Sequence, residues 1–335
     1  MASASITVVI PVYRGESTIE ASVMSVIEQN VNDLEILIFD DGSPDRSAVI
    51  LEELLAKLND SRVTLYRQKN CGLAGTLNRG ISLAVGSYIA RQDQDDIVLP
   101  GRLEFQRAFL EENPDVAIVG TWAQIHVGNS PSERYHLHAA ADDALRLELL
   151  FDNPFVHSSV MFRTEVVRSL GGYSIDKSRE PPEDYELWSR IARHHRIANI
   201  PEVLTIYREV SGSMSRTGES PFLSNVMRIS AENIFHRLST RYSMDDCTAL
   251  TELYHRGGTV GYRSALTKAK ARTMLHLAAE SIAGERHNWS PEFEAVYRRM
   301  CAHLDSRFLR RLIPNRLLIP VRWVRDKLRQ MRRRT

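Results

Sequence analysis

Three carboxylates fall within four residues in Tyr88-Ile-Ala-Arg-Gln-Asp-Gln-Asp-Asp96, where an apolar run ends in Asp93, Asp95 and Asp96 beside a single cation, Arg91. Carboxylates crowded like this repel one another, and a divalent cation or a hydrogen-bonded ligand is what keeps them charged. The segment therefore reads as a metal and phosphate site, against the plainer reading of an acidic turn that caps a helix. More than eighty residues later, Glu183-Asp-Tyr-Glu-Leu-Trp188 follows Pro181-Pro182 and opens an amphipathic stretch. Acids in the first turn of a helix gain from its dipole. A carboxylate lying across a sugar from a metal-bound leaving group would also take the proton of an attacking hydroxyl, so a general base is the functional reading.

Further polar groups cluster where apolar runs end. Asp40-Asp-Gly-Ser43 is either a tight turn or a ligand contact in which Asp41 accepts from the imide or ribose donors of a nucleotide. Asn70-Cys-Gly-Leu73, with Gly72, is either a loop that needs a glycine or part of the same pocket. Within Asn153-Pro-Phe-Val-His-Ser-Ser-Val-Met-Phe162, His157 is placed to bond a phosphate or orient an acceptor, although a lone histidine is more often structural. Tyr207-Arg208 could close over a diphosphate or end as a solvated charge, and Trp188 belongs in the core.

Holding these groups together requires a sheet with its carboxyl ends on one side. Strands are expected over Ile6 to Val12, Leu34 to Asp40, Val63 to Arg67, Ser87 to Arg91 and Val116 to Val127, alternating with helices. Ser17-Thr-Ile-Glu20 has the layout of a capping box for a helix to about Gln29, and Ser43-Pro44 that of an N-cap and first-turn proline for a helix through Lys57. Helices are also expected over Leu73 to Ala84, Pro100 to Glu112, Asp142 to Leu150 and Glu183 to His194, with strands at Ser158 to Arg163 and Val203 to Arg208. Ser211 to Ser220 reads as a mobile loop at the edge of a catalytic domain spanning 1–215. Residues 216–335 read as a helical region, and Pro320 as the start of a last amphipathic helix.

The 335 residues, 43% apolar and 25% charged, suffice for one large globular domain and an appendage. No apolar run reaches membrane-spanning length, and the first residues lack a signal-peptide layout, which points to a cytoplasmic protein. Cys71, Cys247 and Cys301 suit reduced thiols and give no zinc spacing, so a metal would be held by oxygen. The net charge of +1 hides an asymmetry: residues 307–335 carry eleven Arg/Lys against Asp326, leaving 32 basic and 41 acidic side chains before them. Such a tail favours peripheral contact with an anionic membrane, while nucleic acid is not expected because from Arg310 onward Trp323 is the sole stacking aromatic among the arginines.

Taken together the chain resembles the family 2 glycosyltransferases over roughly Ile6 to Ser215. The resemblance rests on Thr7-Val-Val-Ile-Pro-Val-Tyr13, Leu37-Ile-Phe-Asp-Asp-Gly-Ser43, Gly72-Leu-Ala-Gly-Thr-Leu-Asn-Arg-Gly80, Ala90-Arg-Gln-Asp-Gln-Asp-Asp96 with Pro100 and Arg102, Pro154-Phe-Val-His-Ser-Ser-Val-Met-Phe-Arg163, and Glu183-Asp184. It implies an α/β fold of GT-A type, Rossmann-like, with a mostly parallel sheet flanked by helices, and inverting transfer from a nucleotide-diphospho-sugar, UDP favoured, to an acceptor hydroxyl. By the same resemblance Pro11 and Tyr13 line the nucleotide pocket, Asp41 binds the base, Asp93 meets the ribose or metal, Asp95 coordinates Mg²⁺ or Mn²⁺, and Asp184 is the catalytic base. Arg14 stands where the family often has Asn, and Gln92 where a small or apolar residue is usual. The acceptor expected is a glycan or a lipid-linked one, and an oligomer contact through the helical tail stays open. Two rivals remain at this point. A nucleotidyltransferase would carry a Gly-rich basic loop near its start, for which Arg14 and Gly15 are too sparse; a non-catalytic sugar-nucleotide-binding protein would not need the full acidic set.

Overall fold

The computed structural model describes residues 5–209, 221–257 and 266–312. Strands β1 (Ile6–Val12), β2 (Leu34–Asp40), β3 (Val63–Arg67) and β4 (Tyr88–Arg91) run parallel in the spatial order β3-β2-β1-β4. Every residue of β1 and β4 is buried. Strands covered on both faces need continuous rather than alternating apolar residues, which is why these runs are legible. Helices α1 (Ile19–Ile27), α2 (Ser47–Leu58) and α3 (Gly72–Leu83) make the crossovers. Beyond β4 and the two-residue β5 (Ile97–Val98) come α4 (Arg102–Glu112), β6 (Val116–Val127), β7 (Ser130–His136) and α5 (Asp142–Glu148). Strand β8 (Met161–Arg163), α6 (Thr164–Ser169), α7 (Glu183–His194) and β9 (Arg196–Glu209) follow. Strand β8 is antiparallel between β4 and β6, β9 is parallel to β6, and on its other side β9 pairs antiparallel with β5 just after the acidic cluster. The sheet is mostly parallel and curled, and helices flank it.

Several boundaries differ from expectation for identifiable reasons. The capping box at Ser17 does not form; the amides of Thr18 and Ile19 both donate to Gly15 O at 2.9 Å, so the turn itself starts α1. Ser43 does not cap α2, which begins at Ser47. Its hydroxyl instead accepts from Arg14 N at 3.2 Å, while Asp45 Oδ1 accepts the amide of Ser47 at 3.1 Å. Pro100 precedes α4, which starts at Arg102 after Gly101. The strand expected from Ser158 is shortened to Met161–Arg163 by a 3-10 turn at His157–Ser159, and the strand expected from Val203 extends back to Arg196.

The described residues form two compact units, Met1–Ile229 and Ser230–Thr335. After Pro221 the described elements are helices: α8 (Phe222–Leu238), α9 (Met244–Arg256), α10 (Lys268–Ala283) and α11 (Pro291–Leu312), with a 3-10 turn at Arg286–Asn288. Ser243 and Thr267 cap α9 and α10 through their side-chain oxygens. Leu250, Leu253, Met274, Leu275, Phe293 and Leu304 are fully buried in the second unit. The Ser211–Ser220 loop, the expected 215/216 boundary and the helix from Pro320 lie outside the described residues.

Candidate active site

Because β1, β2 and β4 are parallel neighbours, their carboxyl ends open on one edge of the sheet, where ligands bind in open α/β folds. At the end of β1, Pro11 pairs with Phe39 across the sheet and Tyr13 is 42% exposed. Gln94, the residue between Asp93 and Asp95, clips Tyr13 from both sides: its Oε1 accepts Tyr13 N at 2.7 Å and its Nε2 donates to Tyr13 O at 2.9 Å. Arg14 adopts a left-handed backbone, φ 59°, with its guanidinium over the Tyr13 ring. Asn tolerates that conformation better than Arg, which accounts physically for the Asn expected at this position.

Asp41 is buried at the end of β2 and organises the β3–α3 loop. Its Oδ1 accepts Gln68 Nε2 at 2.8 Å and Cys71 N at 2.9 Å, and its Oδ2 accepts Gly72 N at 3.0 Å. A carboxylate offers about four acceptor positions, so about one, on Oδ2, is left for a ligand. Gly42, at φ +69°, must be glycine, since a Cβ there would sit 3.0 Å from Asn70 N.

Oxygens of Asp93, Asp95 and Asp96 lie within 4.8 Å of one another, yet the three are not equivalent. Asp96 is tied to the protein through both oxygens: Oδ1 accepts the amide of Arg208 at 2.8 Å and Oδ2 accepts the Ser158 hydroxyl. It latches the end of β9 and the His157 turn onto β4. Asp93 pairs with Arg91 Nη1 at 2.5 Å. Asp95 makes no ion pair among the described residues, and burial, reinforced by the Asp93 charge, raises its carboxyl to about 6. Two hard oxygen donors held this close, with one acid destabilised as an anion, suit Mg²⁺ or Mn²⁺. The guanidinium of Arg208 reaches Asp95 O at 3.3 Å and so borders the same cluster.

Gln92 and Arg102 brace the strand end from behind. Gln92 Nε2 donates to Ser22 Oγ, Asp93 O and Asp96 O. Arg102, fully buried, donates to Arg91 O at 2.8 Å and Ser158 O at 2.6 Å, joining β4 to the His157 turn. A polar Gln at position 92 is thus a structural brace, which an apolar residue could not supply.

The second acidic group assembles around the first turn of α7. Asp184 Oδ1 accepts the amide of Tyr185 at 2.7 Å and Oδ2 accepts Asn153 Nδ2 at 2.7 Å. His157 Nδ1 lies 3.8 Å from Glu183 and 3.9 Å from Asp184, and its Nε2 meets the Tyr173 hydroxyl at 2.9 Å. The structure therefore groups His157 with the α7 acids. Burial raises Asp184 to about 6, opposed by the Tyr185 amide, Arg91 and Asn153. Burial and the Asp184 charge raise Glu183 to about 7. His157 is pushed well down by burial and then by Arg91, so it is neutral here. Arg91 is 1% exposed, stays cationic despite burial through Asp93, and acts on both acidic groups. Trp188, as expected, is core and packs edge-on to His157.

The residues that composition and spacing did not single out are Asn153, Tyr173 and Gln94. Each is neutral, and each works through a partner distant in sequence; only the position of Gln94 inside the acidic motif could have drawn attention to it.

A curled, mostly parallel sheet with an Asp-x-Asp after its fourth strand and a second acidic group at the start of a later helix has the GT-A glycosyltransferase architecture. The family model for glycosyl transferase family 2 matches residues 7–171. The amylovoran biosynthesis glycosyltransferase AmsE of Erwinia amylovora is 32% identical over 213 residues, covering 63% of this chain and 78% of AmsE. This chain belongs to glycosyl transferase family 2. Solved structures share the fold: S. aureus TarS 1-349 in complex with UDP-GlcNAc has a TM-score of 0.59 at 17% identity, covering 90% of this chain and 92% of that one. The mannosyltransferase PcManGT from Pyrobaculum calidifontis, in complex with GDP-Man and Mn²⁺, has a TM-score of 0.53 at 18% identity, covering 92% and 87%. Among the described residues no helix is long and apolar enough to cross a membrane.

Proposed function

We propose that this transferase moves a sugar from a UDP-sugar to an acceptor hydroxyl with inversion, in one displacement, during assembly of a surface polysaccharide or glycolipid. The observation that supports the reading is two separate acidic groups: Asp93, Asp95 and Asp96 with oxygens within 4.8 Å of one another, and Asp184 held by two donors at the start of α7. Pro11, Tyr13, Asp41 and Gly72 line the base and ribose side, and Arg208 flanks the diphosphate. Bound by Asp95 and Asp93, Mn²⁺ or Mg²⁺ would supply positive charge to the leaving diphosphate. Asp184 takes the acceptor proton, and its acidity, near 6, leaves it ionised at neutral pH. Neutral His157 orients the acceptor beside it. The catalytic domain spans 1–215. The likeness to AmsE, a glycosyltransferase of amylovoran biosynthesis, supports a polysaccharide role.

A panel of nucleotide-sugars tests the donor. With Mn²⁺ present, UDP-sugars are expected to raise Tm, by the equivalent of about 3 kcal/mol at a hundredfold excess over Kd, and EDTA should abolish the shift. Stabilisation by GDP-sugars alone would remove the UDP assignment, and none by any donor would remove the reading.

The basic segment 307–335 extends the proposal to contact with an anionic membrane, the place where lipid-linked acceptors reside and where a cytoplasmic enzyme would dock peripherally. Truncation after Asp305 should abolish co-sedimentation with phosphatidylglycerol vesicles. Equal binding by full-length and truncated protein would refute it.

A further inference from the structure

Among the described residues each carboxylate oxygen of Asp184 receives one protein donor, and the two donors differ in kind. The Tyr185 amide belongs to the helix and follows from its backbone. Asn153 comes from the loop after α5, and its Nδ2 reaches Oδ2 at 2.7 Å. Its amide cannot be flipped, because Asn153 Oδ1 accepts from the amide of Phe155 at 3.1 Å, and a backbone N–H only donates. The NH₂ edge is thereby committed to Asp184. About two acceptor positions on the carboxylate stay open, one per oxygen, and their direction is set by where the two donors sit.

We infer that Asn153 is a positioning residue for the base, holding the Asp184 carboxylate in one orientation and in its charged form. This rests on the reading of Asp184 as the general base. Four other titratable or charged groups face Asp184: Glu183 beside it on α7, His157 on the 3-10 turn, Tyr173 from the segment after α6, and Arg91 on β4. Arg91 shares the work of keeping the anion. Asn153 alone combines that support with a directional bond from outside the helix, so its removal frees the carboxylate to rotate as well as to bind a proton.

Asn153→Ala and Asn153→Asp separate this role from a structural one. Asp nearly matches Asn in size, so if only shape mattered Asn153→Asp would be the milder change. If the donated hydrogen bond matters, Asn153→Asp is the harsher, because it removes the N–H and sets a second carboxylate against the first, and paired carboxylates raise one another's pKa. The readout is nucleotide release from the most stabilising donor in the panel with Mn²⁺, water serving as acceptor, from pH 5 to 9. Asn153→Ala is expected to lower kcat about tenfold with donor KM within about twofold, and to move the acid limb up by about one pH unit. Asn153→Asp is expected to lower kcat at pH 7 about a hundredfold and to move the limb further. An Asn153→Asp enzyme more active than Asn153→Ala at pH 7, with the wild-type limb, would overturn the inference. Should Asn153→Ala fail to fold, Asn153→Ser takes its place against Asn153→Asp with the same ordering. Asp184→Asn run in parallel distinguishes the two levels: if it is inactive while the Asn153 ordering fails, only the positioning role is lost, and if it is active the base reading itself is lost.

Discussion

Asp184→Asn is expected to lower sugar transfer by about 10²- to 10⁴-fold, the range a positioned general base contributes, while UDP affinity in Mn²⁺ stays within about twofold. An acceptor hydroxyl is a poor nucleophile until its proton has somewhere to go, and the amide offers no basic site. Donor binding is expected to be spared because the proposed cation ligands, Asp93 and Asp95, follow β4, whereas Asp184 opens α7. Stability separates this outcome from misfolding. Burial raises the Asp184 pKa from the ordinary 3.8 to about 6, so the folded state favours the protonated acid. The stability that preference contributes is complete below about pH 4 and lost as pH rises through 6. The variant cannot titrate there. Its stability relative to the wild type should therefore improve between pH 4 and pH 8, by about 1–3 kcal/mol, measured by denaturant unfolding at both values. Full transfer activity in purified Asp184→Asn would remove the base assignment, and a relative stability that worsened over that interval would contradict its burial as an acid.

Asp95→Ala should abolish the Mn²⁺-dependent part of UDP binding. Of the three clustered carboxylates, Asp96 is held by Ser158 and Arg208 through both its oxygens, and Asp93 is shared with Arg91. Burial and neighbouring carboxylates destabilise both Asp95 and Asp96 as anions, but Asp95 has no ion pair among the described residues, and a cation would relieve its cost. Its loss is expected to raise the UDP dissociation constant in Mn²⁺ by about a hundredfold, roughly 3 kcal/mol. In EDTA the variant and wild type should bind UDP equally weakly. Calorimetric titration with and without metal checks both arms; an Asp95→Ala protein that kept the full Mn²⁺ effect would shift the site elsewhere.

Much of the scaffold was legible because burial leaves marks in composition. The β1, β2, β3 and β6 runs and α7 were bounded correctly from apolar continuity and helix spacing. Strand β7, Ser-Pro-Ser-Glu-Arg-Tyr-His, was missed because it hangs on β6 outside the main strand path, is largely exposed and carries no apolar alternation. Strand β5 has two residues and is a strand only by pairing with the far side of β9, more than a hundred residues away. The aspartates were legible as a cluster, but their division of labour was not. What commits Asp96 is the amide of Arg208, 112 residues away, and the Ser158 hydroxyl, 62 residues away. Asn153 left no trace for the same reason: a neutral side chain in a loop acquires meaning only from the carboxylate that folding brings to it.

The most direct test is a crystal structure of the wild-type protein with UDP and Mn²⁺, the ion located by its anomalous scattering. The account predicts an anomalous peak roughly 2 Å from Asp95 oxygen, shared with Asp93 and the diphosphate, and Asp184 opening into the same cleft beyond the β-phosphate. A peak away from these aspartates, or a nucleotide bound where Asp184 cannot face it, would contradict it.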